Sequence, residues 1–219
     1  MRMLGLRTGL VAAGLLAACL RGGDGWETDW AKVKAAAAKD GRTILLEFTG
    51  SDWCGWCIKL KKEVLSQDAF RSYATANFIL MEADYPRKLE QSAELKEQNR
   101  QLQQQFGVTG FPTILLLDPQ GTPFARSGYR PGGAEDFVAY LKTMAKVQGT
   151  RDELLAKAAA AQGVERARLL AAALKPVPTT LLGFYADTIK QIRALDPENQ
   201  TGFKARLIEM DIIALEETV

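Results

Sequence analysis

Residues 43–48 (TILLEF) constrain the fold more than any other stretch of the chain. The run has strand length, carries β-branched residues and is apolar on both faces except at Glu47. A strand of that kind must be covered from both sides, which points to a layered α/β domain built around it. The flanking sequence agrees. Residues 26–39 predict a helix, with Thr28 or Asp29 as its cap, an alanine run at 35–38 and Asp40-Gly41 as its stop. Residues 54–66 set Ile58, Leu60, Val64 and Leu65 among lysines, the pattern of an amphipathic helix, and residues 68–73 add a turn or two. Residues 78–82 (FILME) form the next strand. Residues 93–106 are polar, Gln-rich and helix-permissive, and carry no chemistry. A strand follows at 113–117, then the turn Asp118-Pro119-Gln120-Gly121 and a hairpin strand at 123–127. Pro131-Gly132-Gly133 precedes a helix at 134–147 that puts Phe137, Val138, Leu141 and Met144 on one face. The order over residues 26–147 is α-β-α-β-α-β-β-α.

Gly149-Thr150 marks a boundary, and only helical patterns follow. They occupy residues 151–161, 164–174, 180–195 and 201–217, with breaks at Gly163, at Pro176 and Pro178, and at Asp196-Pro197. The expected plan is an α/β domain over 26–148 and an all-α extension over 150–219, a helical cap or interaction module.

The start of the chain reads differently. Arg2 and Arg7 precede an apolar stretch at 10–18 that is too short to span a bilayer, which is the pattern of a secretory signal over residues 1–18. The segment Leu16-Ala17-Ala18-Cys19 resembles the lipobox of bacterial lipoproteins, which implies lipidation at Cys19 and a flexible tether over 19–25. The alternative is an ordinary cleaved signal with an incidental cysteine. The expected location is the periplasmic side of a bacterial membrane, where thiols can form disulfides. Removing residues 1–18 takes two of the 28 bases and leaves 26 against 26 acids. No basic surplus remains to attract nucleic acid.

The chain has no histidine and three cysteines. No Ser-His-Asp or Cys-His pair can form, and no four-cysteine zinc site can close within one chain. Acid–base work falls to carboxylates, thiols, lysines or water. The informative segment is therefore residues 47–57, where the acid-bearing strand leads through a loop to Trp53-Cys54-Gly55-Trp56-Cys57. Cys54 falls at a helix N-terminus, where unpaired N–H groups and the dipole favour a thiolate. Cys57 lies one turn on, on the same side, so the two sulfurs can close a disulfide. Cys54 can attack a substrate disulfide, and Cys57 can resolve the mixed disulfide once it loses its proton. Glu47 is the carboxylate placed to take that proton, and burial would raise its pKa. The blander readings are a structural disulfide, half of an intersubunit zinc site, and a solvated strand-end carboxylate at Glu47. A bond across so short a loop removes little chain entropy.

These residues resemble the thioredoxin superfamily over about 26–147, in the Trp-Cys-Gly-Trp-Cys segment, the acid in the preceding strand and Gly110-Phe111-Pro112-Thr113 before a later strand. The resemblance is to its exported members, with Lys61-Lys62-Glu63-Val64-Leu65-Ser66 after the cysteines. It implies a thioredoxin-like fold, a central mixed sheet flanked by helices, and a thiol-disulfide oxidoreductase with Cys54, Cys57 and Glu47 as catalytic residues. It also implies a cis bond before Pro112, with Phe111 offering its backbone to substrate. Trp53 and Trp56 would form an apolar rim for polypeptides, and Lys59, Lys61 and Lys62 a solvated helix face. No counterpart of the family's first strand is evident, no proline follows Cys57, and Gly55-Trp56 replaces the usual Gly-Pro. The expected partners are disulfide-containing exported proteins and a membrane-embedded electron donor, with no cofactor and no metal. The reducing or isomerising direction is favoured. The competing reading is a lipoprotein scaffold in which the helical tail recruits a partner and the α/β domain is a rigid base.

Overall fold

The computed structural model describes residues 25–216. The signal at 1–18, the lipidation candidate Cys19 and all of the tether but Gly25 lie outside the described residues. Among the described residues no helix is long and apolar enough to cross a membrane.

A five-stranded mixed sheet forms the centre, in the order β1-β3-β2-β4-β5. The strands are β1 (Trp26–Glu27), β2 (Thr43–Thr49), β3 (Phe78–Asp84), β4 (Thr113–Leu117) and β5 (Pro123–Ser127). β1 and β2 run parallel to β3, whereas β4 is antiparallel to β2 and to β5. β2 is central, as its two apolar faces require. Ile44, Leu46 and Phe48 point to one layer with Met81, Leu115 and Leu117. Leu45 points to the other with Leu80, Ile114 and Leu116.

The first strand corrects the sequence reading, which ran a helix from residue 26. α1 (Trp30–Asp40) starts after Asp29, whose side chain accepts the Lys32 N–H at 3.1 Å. A cap residue needs extended backbone, and Asp29 has φ −95° and ψ 108°. The residues before it are thus free to pair with Leu80 and Met81 of β3.

α2 (Gly55–Leu60) is shorter than the expected helix, and continues into a π-helical turn at Lys61–Leu65. The extra residue in that turn brings both Val64 and Leu65 into the core beside Leu60. α3 (Asp68–Asn77) and α4 (Ala93–Gln105) follow on opposite faces of the sheet.

α5 (Gly133–Ala160) runs unbroken through Gly149 and Thr150, where the sequence suggests a boundary. A helix-interior glycine costs only about 1 kcal/mol, and burial beyond it offsets that cost. Arg151, 3% exposed, donates to the Tyr185 hydroxyl at 2.8 Å and to Asp118 in the β4–β5 turn at 3.1 Å. α6 (Gly163–Leu174), a 3₁₀ segment (Thr179–Tyr185), α7 (Ala186–Leu195) and α8 (Lys204–Glu216) complete the chain. Residues 180–185 are 3₁₀ rather than the first turns of the expected α-helix. These helices pack on the α1–α4 side of the sheet: Leu174, Leu181, Leu182 and Phe203 share one core with Phe48 and Phe106, and Phe184 stacks on Phe106.

Candidate active site

The site forms where β2 and β3 end and α2 begins. The loop after β2 is tied to the loop after β3 by groups from both. Ser51 donates its N–H and hydroxyl to the Asp84 carboxylate, at 2.9 and 2.6 Å. The Trp53 indole donates to the Tyr85 carbonyl at 2.7 Å. The Asp52 carboxylate accepts the N–H groups of Arg87, Lys88 and Leu89. These hydrogen bonds, that from Arg87 foremost, hold its pKa below the usual carboxylate value. Gly50 permits the packing, because a Cβ there would lie 2.6 Å from the Trp53 ring.

That anchoring delivers Cys54 to the helix N-cap. Its sulfur accepts the Cys57 N–H at 3.2 Å, and the two cysteines are joined as a disulfide with Cα atoms 5.2 Å apart. Cys54 is 8% exposed and Cys57 is 1% exposed. Of the pair, Cys54 is thus the one an approaching sulfur can reach.

Aromatic groups flank the disulfide. The Phe111–Pro112 bond is cis, and the Phe111 ring stands 6.0 Å from Trp53 and 5.0 Å from Tyr85. Arg87 lies over the Trp53 ring at 3.8 Å. On the other side Trp56, 57% exposed, contacts Tyr129, and Lys59 sits over both rings. Lys59 is exposed, as expected of a solvated helix face. Its pKa is raised, first by its contact with the Tyr129 hydroxyl and then by Glu63.

Glu47 is 2% exposed, on the face of β2 that also carries Leu45. α2 covers that face. Lys61, one turn beyond Cys57 and bonded through its N–H to the Cys57 carbonyl, lines a small cavity together with Glu47. Burial pushes the Glu47 carboxyl up to about 8, the Glu82 and Asp84 charges add to the rise, and Lys61 opposes it. The sequence reading missed Glu82. Lys61 is exposed, as expected, but its pairing with Glu82, ammonium to carboxylate 3.8 Å, was not foreseen. The signal was present as a second acid, one per strand, in FILME; register alone makes the two acids neighbours. Among the described residues no cluster suited to a metal ion occurs.

A mixed sheet with a disulfide at the N-terminus of the helix after its central strand defines a thioredoxin-like protein. The thioredoxin-like domain family matches residues 30–145. The disulfide bond reductase DsbH of Chlamydia pneumoniae is 37% identical over 123 residues, which cover 56% of this chain and 74% of that protein. The thioredoxin-related protein DsbJ of the same organism is 28% identical over 103 residues, 47% of this chain and 30% of that one. A solved DsbH oxidoreductase superposes with a TM-score of 0.52 at 34% identity, over 63% of this chain and 93% of that one. The chain belongs to the thioredoxin-like family and is a protein-disulfide oxidoreductase.

Proposed function

We propose that this oxidoreductase reduces or isomerises disulfides of exported proteins through the pair Cys54–Cys57, tethered to a membrane by a lipid on Cys19. The observation that carries the direction is the buried carboxyl of Glu47, which burial holds largely protonated near neutrality. A strongly oxidising pair owes its power to a stabilised thiolate in the reduced form. Burial and the nearby charges of Glu82 and Asp84 keep even the Glu47 carboxyl from ionising readily. On this reading a second anion beside that carboxyl is disfavoured, so the disulfide is preferred over a dithiol with a stabilised thiolate, and the dithiol acts as a reductant.

In the reducing direction the Cys54 thiolate attacks a client disulfide and expels one client thiolate. Glu47 takes the proton of Cys57, and the Cys57 thiolate then attacks Cys54 Sγ. The Cys54–Cys57 disulfide forms, the second client thiolate leaves, and two electrons have passed to the client. Trp53, Trp56, Phe111 and Pro112 surround the client strand. A membrane-embedded donor restores the dithiol. The similarity to a disulfide bond reductase supports this direction.

The test is a Cys57→Ser variant, in which resolution is blocked. It is expected to accumulate mixed disulfides with exported clients through Cys54, and none when Cys54 is also replaced. The wild type is expected to reduce insulin. Absence of both trapping and insulin reduction would remove the proposal.

A further inference from the structure

Glu47 does not stand alone on the face of β2 that α2 covers. Glu82, its register partner on β3, projects from the same face of the sheet. A cavity of about 40 Å³ adjoins both carboxylates, and Lys61 and Arg71 also line it. One water needs roughly 10–15 Å³ and two to four polar partners, so the space suits a water. The two ends differ. Glu47 is 2% exposed, whereas the Glu82 side chain is 23% exposed and lies 3.8 Å from the Lys61 ammonium. One carboxylate is sealed beneath the helix that carries Cys57; the other reaches solvent.

The charged and polar surroundings of Glu47 come from several elements. β3 supplies Glu82 and Asp84, the π-helical turn supplies Lys61, and α3 supplies Arg71. Thr49, next on the same face of β2, works weakly against the rise, and β4 sets the apolar Ile114 opposite it. After burial, the charge of Glu82 is the largest cause of Glu47's raised proton affinity, and Lys61 works against it.

We propose that Glu82 is a positioning residue for the resolving step: its carboxylate faces Glu47 across a shared cavity, and through that cavity the proton released by Cys57 reaches the surface. The inference rests on the base role proposed above for Glu47. The Cys57 thiol gives its proton to the Glu47 carboxylate, and Cys57 closes on Cys54. The neutral Glu47 then passes the proton to water in the cavity, and Glu82 and Lys61 stand at its outlet. Glu82 never touches sulfur.

The full chain with Glu82→Gln, Lys61→Met or Glu47→Gln tests this in two ways. The Glu47 carboxyl is titrated by carbon NMR in the oxidised protein, and the resolution rate of a preformed mixed disulfide is followed against pH. Removing the Glu82 charge is expected to lower both midpoints by about one pH unit, a typical effect of a nearby like charge. Removing the Lys61 charge is expected to raise them. A Glu47 midpoint unmoved in Glu82→Gln overturns the inference while leaving the base role of Glu47 standing. A wild-type resolution rate indifferent both to pH and to Glu47→Gln overturns the base role, and this inference with it.

Discussion

Glu47 interrupts an otherwise apolar strand, and its burial has a consequence for stability as well as chemistry. A carboxyl raised from 4.5 to about 8 on folding stays neutral in the folded chain while the unfolded chain ionises. Its contribution is fully present below about pH 4.5, declines as pH rises, and levels off above about pH 8. A shift of that size corresponds to at most about 4–5 kcal/mol. Glu47→Gln is therefore expected to unfold at higher denaturant than wild type at pH 8.5, and to lose that advantage at pH 4. Urea melts of the oxidised protein across pH check the sign; an advantage independent of pH would contradict it. The presence of this acid was legible from its neighbours Leu46 and Phe48, which had to be buried. The second acid was not. Glu82 becomes its neighbour only through the pairing of β2 with β3, which sequence spacing does not encode.

Among the elements, the loop at residues 50–53 decides how the cysteines are presented. Its own sequence offers glycine, two polar groups and a tryptophan, and these read as a generic turn. Its partners lie more than 30 positions away, at Asp84, Tyr85 and Arg87. Gly50→Ala would drive a methyl into the Trp53 ring. The variant is expected to form the disulfide, change its tryptophan fluorescence and bind client peptides several-fold more weakly, with a smaller change in kcat. An unchanged KM would mean that Trp53 takes no part in holding the client. The helix after the cysteines carries a similar lesson. Without a proline it reads as one continuous α-helix, yet it widens at Lys61–Leu65. Three apolar side chains, Leu60, Val64 and Leu65, must all reach one core, and α-helical spacing alone does not place them there.

On the scale of the whole molecule, the helices after residue 150 complete the core of the α/β domain. Arg151 joins α5 to the β4–β5 turn and to Tyr185, whose hydroxyl also donates to the Pro123 carbonyl at 3.0 Å. Arg151→Met leaves the Asp118 carboxylate without its buried partner, at an expected cost of about 3 kcal/mol, measurable by chemical denaturation. Truncation after residue 160 would strip Phe106 of Phe184 and uncover one face of the sheet. The truncated chain is expected to be unfolded or aggregated; a stable, active fragment would make the tail a separable module. Apart from the two-residue β1, the strand and helix order of residues 26–147 was legible because hydrophobic periodicity is local. The docking of the tail was not, because Gly149 and the alanine-rich helices carry no mark of what they pack against.

The proposed account centres on a dithiol that acts as a reductant because the buried, acid-bearing site disfavours a stabilised thiolate. Equilibration of the Cys54–Cys57 pair with glutathione buffers, with the two forms separated after acid quenching and alkylation, measures that directly. The expected potential is about −200 mV or lower, in the range of the glutaredoxins and thioredoxin. A potential near about −120 mV, that of a strong oxidant, would contradict it.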